Sequence, residues 1–186
     1  MKFLKIFGII ILVLILGFLA IGLFVSKHEY KSEVEINKPV IETFAHFNNH
    51  ESLLKWLPEV KSFEPIKETP NKVGSEYKML IDSQGKVMEM HETLTAYKEN
   101  EMIEMVFVAG WMTKNNRFTF EKSTNGTLLK AEYKVEGNNI FAKSMFAFFS
   151  KMFKQIDETN LNRFKEFVES QPVYIEEEAI QPTIIN

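Results

Sequence analysis

No cysteine occurs among the 186 residues, which excludes disulfides, thiolate catalysis and thiolate-bound zinc and leaves the redox compartment undecided. Glycine and proline are sparse, at 8 and 6, and no glycine-rich phosphate loop or Gly-x-Ser-x-Gly elbow is present. A basic stripe is also missing. Net charge is −3 with the basic residues dispersed, so the chain lacks the electrostatic footprint of a nucleic-acid binder. No repeat, low-complexity segment or paired-carboxylate glycosidase pattern is visible. What the chain has in excess is phenylalanine, 17 residues, and methionine, 9. Together these fill irregular apolar volumes, and methionine adapts to varied shapes.

Charge is absent from one long stretch. Ile6 to Val25 holds no charged residue and no proline, and such a run spans a bilayer core of about 30 Å as a helix. Residues 1–5 then form a short basic leader, 6–25 a single transmembrane helix, 30–170 one folded domain and 171–186 a disordered acidic tail. The alternative is a cleaved signal peptide, since Ala20 and Gly22 make a small-x-small site; the length of the apolar run favours a retained anchor. Lys2 and Lys5 stand against Lys27 and Lys31, so the positive-inside rule gives only a slight lean to an N-terminus-in orientation.

Within the domain, alternation predicts a first strand at Tyr30 to Asn37 and then two short helices. The first, near Val40 to Phe47, opens after Pro39 and carries Ile41, Phe44 and Phe47 on one stripe; the second runs near Ser52 to Trp56. An antiparallel meander follows. Turn signals predict four registers: Met79 opposite Met88 and Tyr77 opposite Met90; Leu94 opposite Met105 and Ala96 opposite Ile103; Phe107 opposite Phe118; and Phe118 opposite Tyr133 across Asn125-Gly126. These agree on one apolar face and one polar face. The polar face carries Glu89, His91 and Glu104. Phe141 to Ser170 has helical spacing, and a stripe of Met145, Phe149, Met152 and Ile156, continued by Phe164, Phe167 and Val168, is predicted to cover the apolar face.

The order strand, two short helices, antiparallel strands and one long helix resembles the START/Bet v 1-like superfamily, in particular its polyketide cyclase/dehydrase and lipid transport branch. The resemblance rests on VEINKPVIETFAHFNNHESLLKWLPEV from Val34, VGSEYKM from Val73, MHETLTAYKENEMIEMVF from Met90 and FKQIDETNLNRFKEFVE from Phe153. It implies an α+β helix-grip fold, a curved antiparallel sheet wrapped around a long C-terminal helix with a hydrophobic cavity between them. It also implies an apolar ligand, carries no catalytic residue over and calls for no cofactor.

Glu92 is the one candidate for chemistry, predicted on the apolar face beside Met90 and Leu94, with Phe107 and Ser75 as cross-strand neighbours. Burial there would raise its pKa, suiting it to hold a ligand's polar group or to act as an acid/base. Trp56, Tyr77, Met79, Met88, Met90, Met105, Phe107, Phe118, Tyr133 and Phe149 are the candidate ligand contacts. Glu42, His46 and His50 recur at helical spacing, but Asn48 and Asn49 are expected to end the helix between them, so no metal site is predicted. The leading expectation is a membrane-tethered domain binding a hydrophobic small molecule or lipid. The alternatives are a cyclase/dehydrase-type enzyme using Glu92 and a non-enzymatic module for an unidentified protein partner.

Overall fold

The computed structural model describes residues 2–24, 27–83 and 85–172. The expected disordered tail lies, from Val173 on, outside the described residues, as does Val25 at the end of the expected span. Helix α1 (Lys2–Phe24) is long and apolar enough to cross a membrane. Strand β1 (Lys27–Ile36) starts earlier than the Tyr30 expected from sequence. Its exposed Lys27, Glu29 and Lys31 alternate with more buried His28, Tyr30 and Ser32, so the period of two already holds there.

Helices α2 (Val40–Phe47) and α3 (His50–Trp56) follow. Asn49 separates them and caps α3, its side chain accepting from the Ser52 N–H at 2.9 Å. In α2 Phe44 is buried and Phe47 half-buried, but Ile41 is exposed. Steps of three residues drift around a 3.6-residue helix, and Ile41 falls off the stripe.

Strands β2 (Val60–Lys67), β3 (Glu76–Ser83), β4 (Lys86–Lys98), β5 (Met102–Ala109), β6 (Met112–Lys122) and β7 (Thr127–Gly137) complete the sheet, and α4 (Ile140–Ser170) ends the fold. The seven strands run β1-β7-β6-β5-β4-β3-β2, every neighbour antiparallel. Helix α4 packs chiefly against β1 and β7 at one side of the sheet, the expected helix-grip arrangement.

Three of the four predicted registers slip by an even number of residues. Met79 pairs with Met90 rather than Met88, and Tyr77 with Glu92 rather than Met90, because the last pair of the hairpin is Ser83 with Lys86. Phe118 faces Ala131 rather than Tyr133, since the loop takes in Ser123 to Gly126, closed by a bond from the Ser123 N–H to the Gly126 carbonyl. Phe107 faces Lys114, not Phe118, because the turn is at Gly110-Trp111. Even slips leave each side chain on its predicted face. The fourth register is correct at Leu94 and Met105 but is broken by a bulge at Thr95. Past the bulge Tyr97, not Ala96, faces Ile103, and Ala96 moves to the polar face opposite Glu104.

The helix stripe is corrected as well. Phe146, Asp157, Leu161, Phe164 and Val168 are the buried positions over most of α4, whereas Phe149, Met152 and Ile156 are about half exposed. Asn139 caps the helix, accepting from the Ala142 N–H at 2.9 Å. Asn139→Ala is expected to cost about 1 kcal/mol, measured as a fall in the denaturation midpoint; an unchanged midpoint would show that the cap contributes nothing.

Candidate functional site

Apolar side chains between sheet and helices form three clusters. The largest joins Ile36, Phe44, Trp56, Leu94, Phe118, Tyr133 and Phe164. A second holds Val60, Met79, Met90 and Ala109, and a third Val135, Ala142 and Phe146. One row of the sheet runs along the boundary between them. Registers place Tyr77, Glu92, Phe107, Lys114, Val135 and His28 side by side across β3, β4, β5, β6, β7 and β1. Strands lie about 4.8 Å apart, so the backbones of Glu92 and Lys114, with Phe107 between, are about 10 Å apart on the same face.

Glu92 is 7 % exposed, and its carboxyl forms no ion pair among the described residues. Loss of hydration alone disfavours its charged form, pushing its pKa up to about 7. Near neutrality it therefore exchanges between a hydrogen-bond donor and an acceptor. Its predicted neighbour Ser75 is not its partner. Tyr77 takes that cross-strand position, and the Ser75 hydroxyl instead accepts from the Thr69 N–H at 3.0 Å.

Lys114 is differently placed. Its ammonium donates to both oxygens of Asp157 on α4, at 2.6 and 2.7 Å, and sits 4.7 Å from the centre of the Tyr133 ring. The Tyr30 hydroxyl donates to the same carboxylate at 2.5 Å. Burial and the Asp157 charge push the Tyr30 and Tyr133 phenols above their ordinary range. The carboxamide oxygen of Asn116, one row away, is buried and has no hydrogen-bond partner among the described residues. The sequence reading missed Tyr30, Lys114, Asn116 and Asp157. The alternation of Lys114, Asn116 and Phe118 ahead of the buried Phe120 was the available signal for the two residues on β6.

Helix α4 lies over the β1 and β7 end of this row, and between Phe146 and Asp157 none of its residues is fully buried. On β3 and β4, Met79, Met90 and Glu92 are buried, the two methionines packing with Leu53 of α3 and with Leu57. Of the predicted contacts, Met88, Met105 and Phe107 are half-buried on the inner face; Tyr77, Phe118 and Tyr133 are buried there, and Trp56 is buried at the end of α3. Phe149 is 48 % exposed and lies off the buried stripe. It does not join the others, because the inward stripe passes through Phe146, Phe153 and Asp157 instead.

The remaining candidates lie elsewhere. Glu89 and His91 pair at 2.9 Å on the exposed face, and Glu104 pairs with Arg117. An open groove of about 430 Å³ runs over that face, among Glu29, Lys31, Glu104, Arg117 and Glu132; Lys31 pairs with Glu132 and Arg117 with Glu104 along it, and Glu92 does not line it. His46 packs on Phe167 and His50 between Phe63 and Tyr77, on separate helices. Among the described residues no three His, Asp or Glu side chains converge as metal ligands would.

The sequence model of the family described as polyketide cyclase / dehydrase and lipid transport matches residues 27–169. No curated protein matches the chain. Among solved structures, Ara h 8.0201 superposes with a TM-score of 0.63 at 14% identity, over 78% of this chain and 99% of that one. An uncharacterised protein from Rhizobium leguminosarum gives 0.64 at 14% identity, over 78% and 96%. The Zhui aromatase/cyclase from a Streptomyces species gives 0.65 at 10% identity, over 77% and 94%. At such identities the likeness establishes the fold.

Proposed function

The chain belongs to the polyketide cyclase / dehydrase and lipid transport family, and on that premise we propose that it is a membrane-tethered binding domain for a hydrophobic small molecule or lipid. The ligand lies between α4 and the inner face of β3, β4 and β5, against Tyr77, Met79, Met90, Met105 and Phe107. One observation carries this reading: on the inner face of β3 and β4 the buried Met79 and Met90 adjoin a buried carboxylic acid, Glu92, that forms no ion pair among the described residues. Unpaired polar groups in apolar surroundings orient ligands in such sites. Helix α1, separated from β1 only by residues 25 and 26, holds the site beside the bilayer from which an apolar ligand would be drawn.

Organic extraction and mass spectrometry of the detergent-solubilised chain is expected to find one apolar species in near-stoichiometric amount. An empty extract, together with no uptake of an apolar fluorescent probe, would sink the proposal. The buried Glu92 favours a second reading, acid/base catalysis on the bound molecule. Glu92→Gln should then abolish conversion of the extracted species while preserving its binding; unchanged conversion would rule catalysis by Glu92 out.

A further inference from the structure

The apolar stripe that α4 turns away from the sheet has its own chemistry. Ile140, Phe141, Phe148, Phe149, Met152 and Ile156 are exposed by two fifths or more. Over the same stretch, Ile140 to Ile156, the chain carries Lys143, Lys151 and Lys154 and no acidic residue. That runs against the helix dipole, which favours acids near an N-terminus. A surface helix facing water has no need of such a stripe.

Helix α1 fixes where the stripe sits. Phe18 touches both Phe141 and Phe148, with ring centres 5.7 and 5.4 Å apart. The two helices cross closely at Gly22, whose N–H donates to the Ser144 hydroxyl at 3.1 Å. A Cβ on Gly22 would collide with that hydroxyl and with the Ile140 carbonyl, so the approach depends on glycine, as in small-residue crossings within membranes. A bilayer core of about 30 Å takes up about 20 apolar residues, which is the whole run from Ile6 to Val25. Phe18 then lies about 10 Å inside the end of that run. Its two ring partners on α4 must lie at a similar depth.

We propose that the N-terminal half of α4 is a membrane-embedded face, its apolar stripe seated in the acyl region and Lys143, Lys151 and Lys154 reaching anionic headgroups. The combination of aromatic and lysine side chains is that of an interfacial helix. The inference rests on α1 being a bilayer anchor, as the proposed function holds, and adds that the folded domain itself is sunk into the surface.

The cysteine-free chain permits a direct test. Single-cysteine variants Leu12→Cys, Phe149→Cys, Met152→Cys and Lys98→Cys carry an environment-sensitive fluorophore, in full-length chain reconstituted into phosphatidylcholine vesicles with and without phosphatidylglycerol. Lipids spin-labelled on the acyl chain serve as quenchers. Probes at Leu12, Phe149 and Met152 are expected to be quenched several-fold more than the probe at Lys98, at the end of β4. Phosphatidylglycerol should deepen quenching at Phe149 and Met152 but not at Leu12. If Leu12 is quenched while Phe149 and Met152 behave like Lys98, the embedded face is wrong and the tether stands. If Leu12 is not quenched either, the tether fails and takes this inference with it.

Discussion

Replacing Asp157 by Ala is expected to lower stability by about 3–5 kcal/mol, the range for removing one partner of a buried ion pair. The Lys114 and Asp157 side chains are only 17 % and 10 % exposed, so water does little to screen them. Loss of the carboxylate strands an ammonium whose remaining neighbour is the Tyr133 ring, which offsets only part of its lost hydration. It also leaves the Tyr30 hydroxyl without its acceptor. Three comparisons make the attribution specific. Tyr30→Phe should cost about 1 kcal/mol. Lys114→Met alone should be costly, because it leaves the carboxylate unpaired. The pair Lys114→Met with Asp157→Leu should recover most of the loss, since apolar replacement of a buried pair is often neutral. Denaturation in detergent of these variants, and of Asp157→Leu alone to complete the cycle, measures the coupling. Additive losses in the double variant would show that the two charges do not interact.

The second large effect is a pH profile. The Glu92 carboxyl titrates at about 7 in the folded chain, against 4.5 as its ordinary value. Below pH 4.5 the group is protonated in both states and contributes nothing. Between 4.5 and 7 the folded state holds the extra proton, so stability falls as pH rises. Above 7 the penalty is complete, on the order of 3 kcal/mol. Glu92→Gln removes the titration while keeping the shape. The variant should match the parent near pH 4.5 and exceed it in melting temperature from pH 7 upward. A gap between the two that does not vary with pH would contradict the assignment.

These two groups differ in how legible they were. Glu92 could be found in sequence because the strand alternates cleanly on either side of it, and register errors by even steps left its face intact. The Thr95 bulge shows the limit: one extra residue moved Ala96 to the wet face and brought Tyr97 inward. Asp157 could not be found that way. It sits on a helix whose strongest apolar stripe, through Phe149, Met152 and Ile156, points away from the sheet, and hydrophobicity alone does not name the apolar partner a stripe will meet. Its role became visible only when β1 and β6 delivered Tyr30 and Lys114 to the same carboxylate. The family resemblance supplied the architecture, but no residue of this cluster.

The strand order has a further consequence, for the timing of folding. From β2 to β7 each strand pairs with the next along the chain, so those hairpins form locally. Strand β1 is the exception: Tyr30 meets Tyr133, and Ile36 meets Thr127. During synthesis β1 emerges early, directly behind α1, yet its partner is the last strand to be made. Contacts so distant in sequence form slowly. The interval is tolerable because Lys27, Glu29, Lys31, Glu33 and Glu35 give β1 a charged face, of the kind that discourages an unpaired strand from joining another chain.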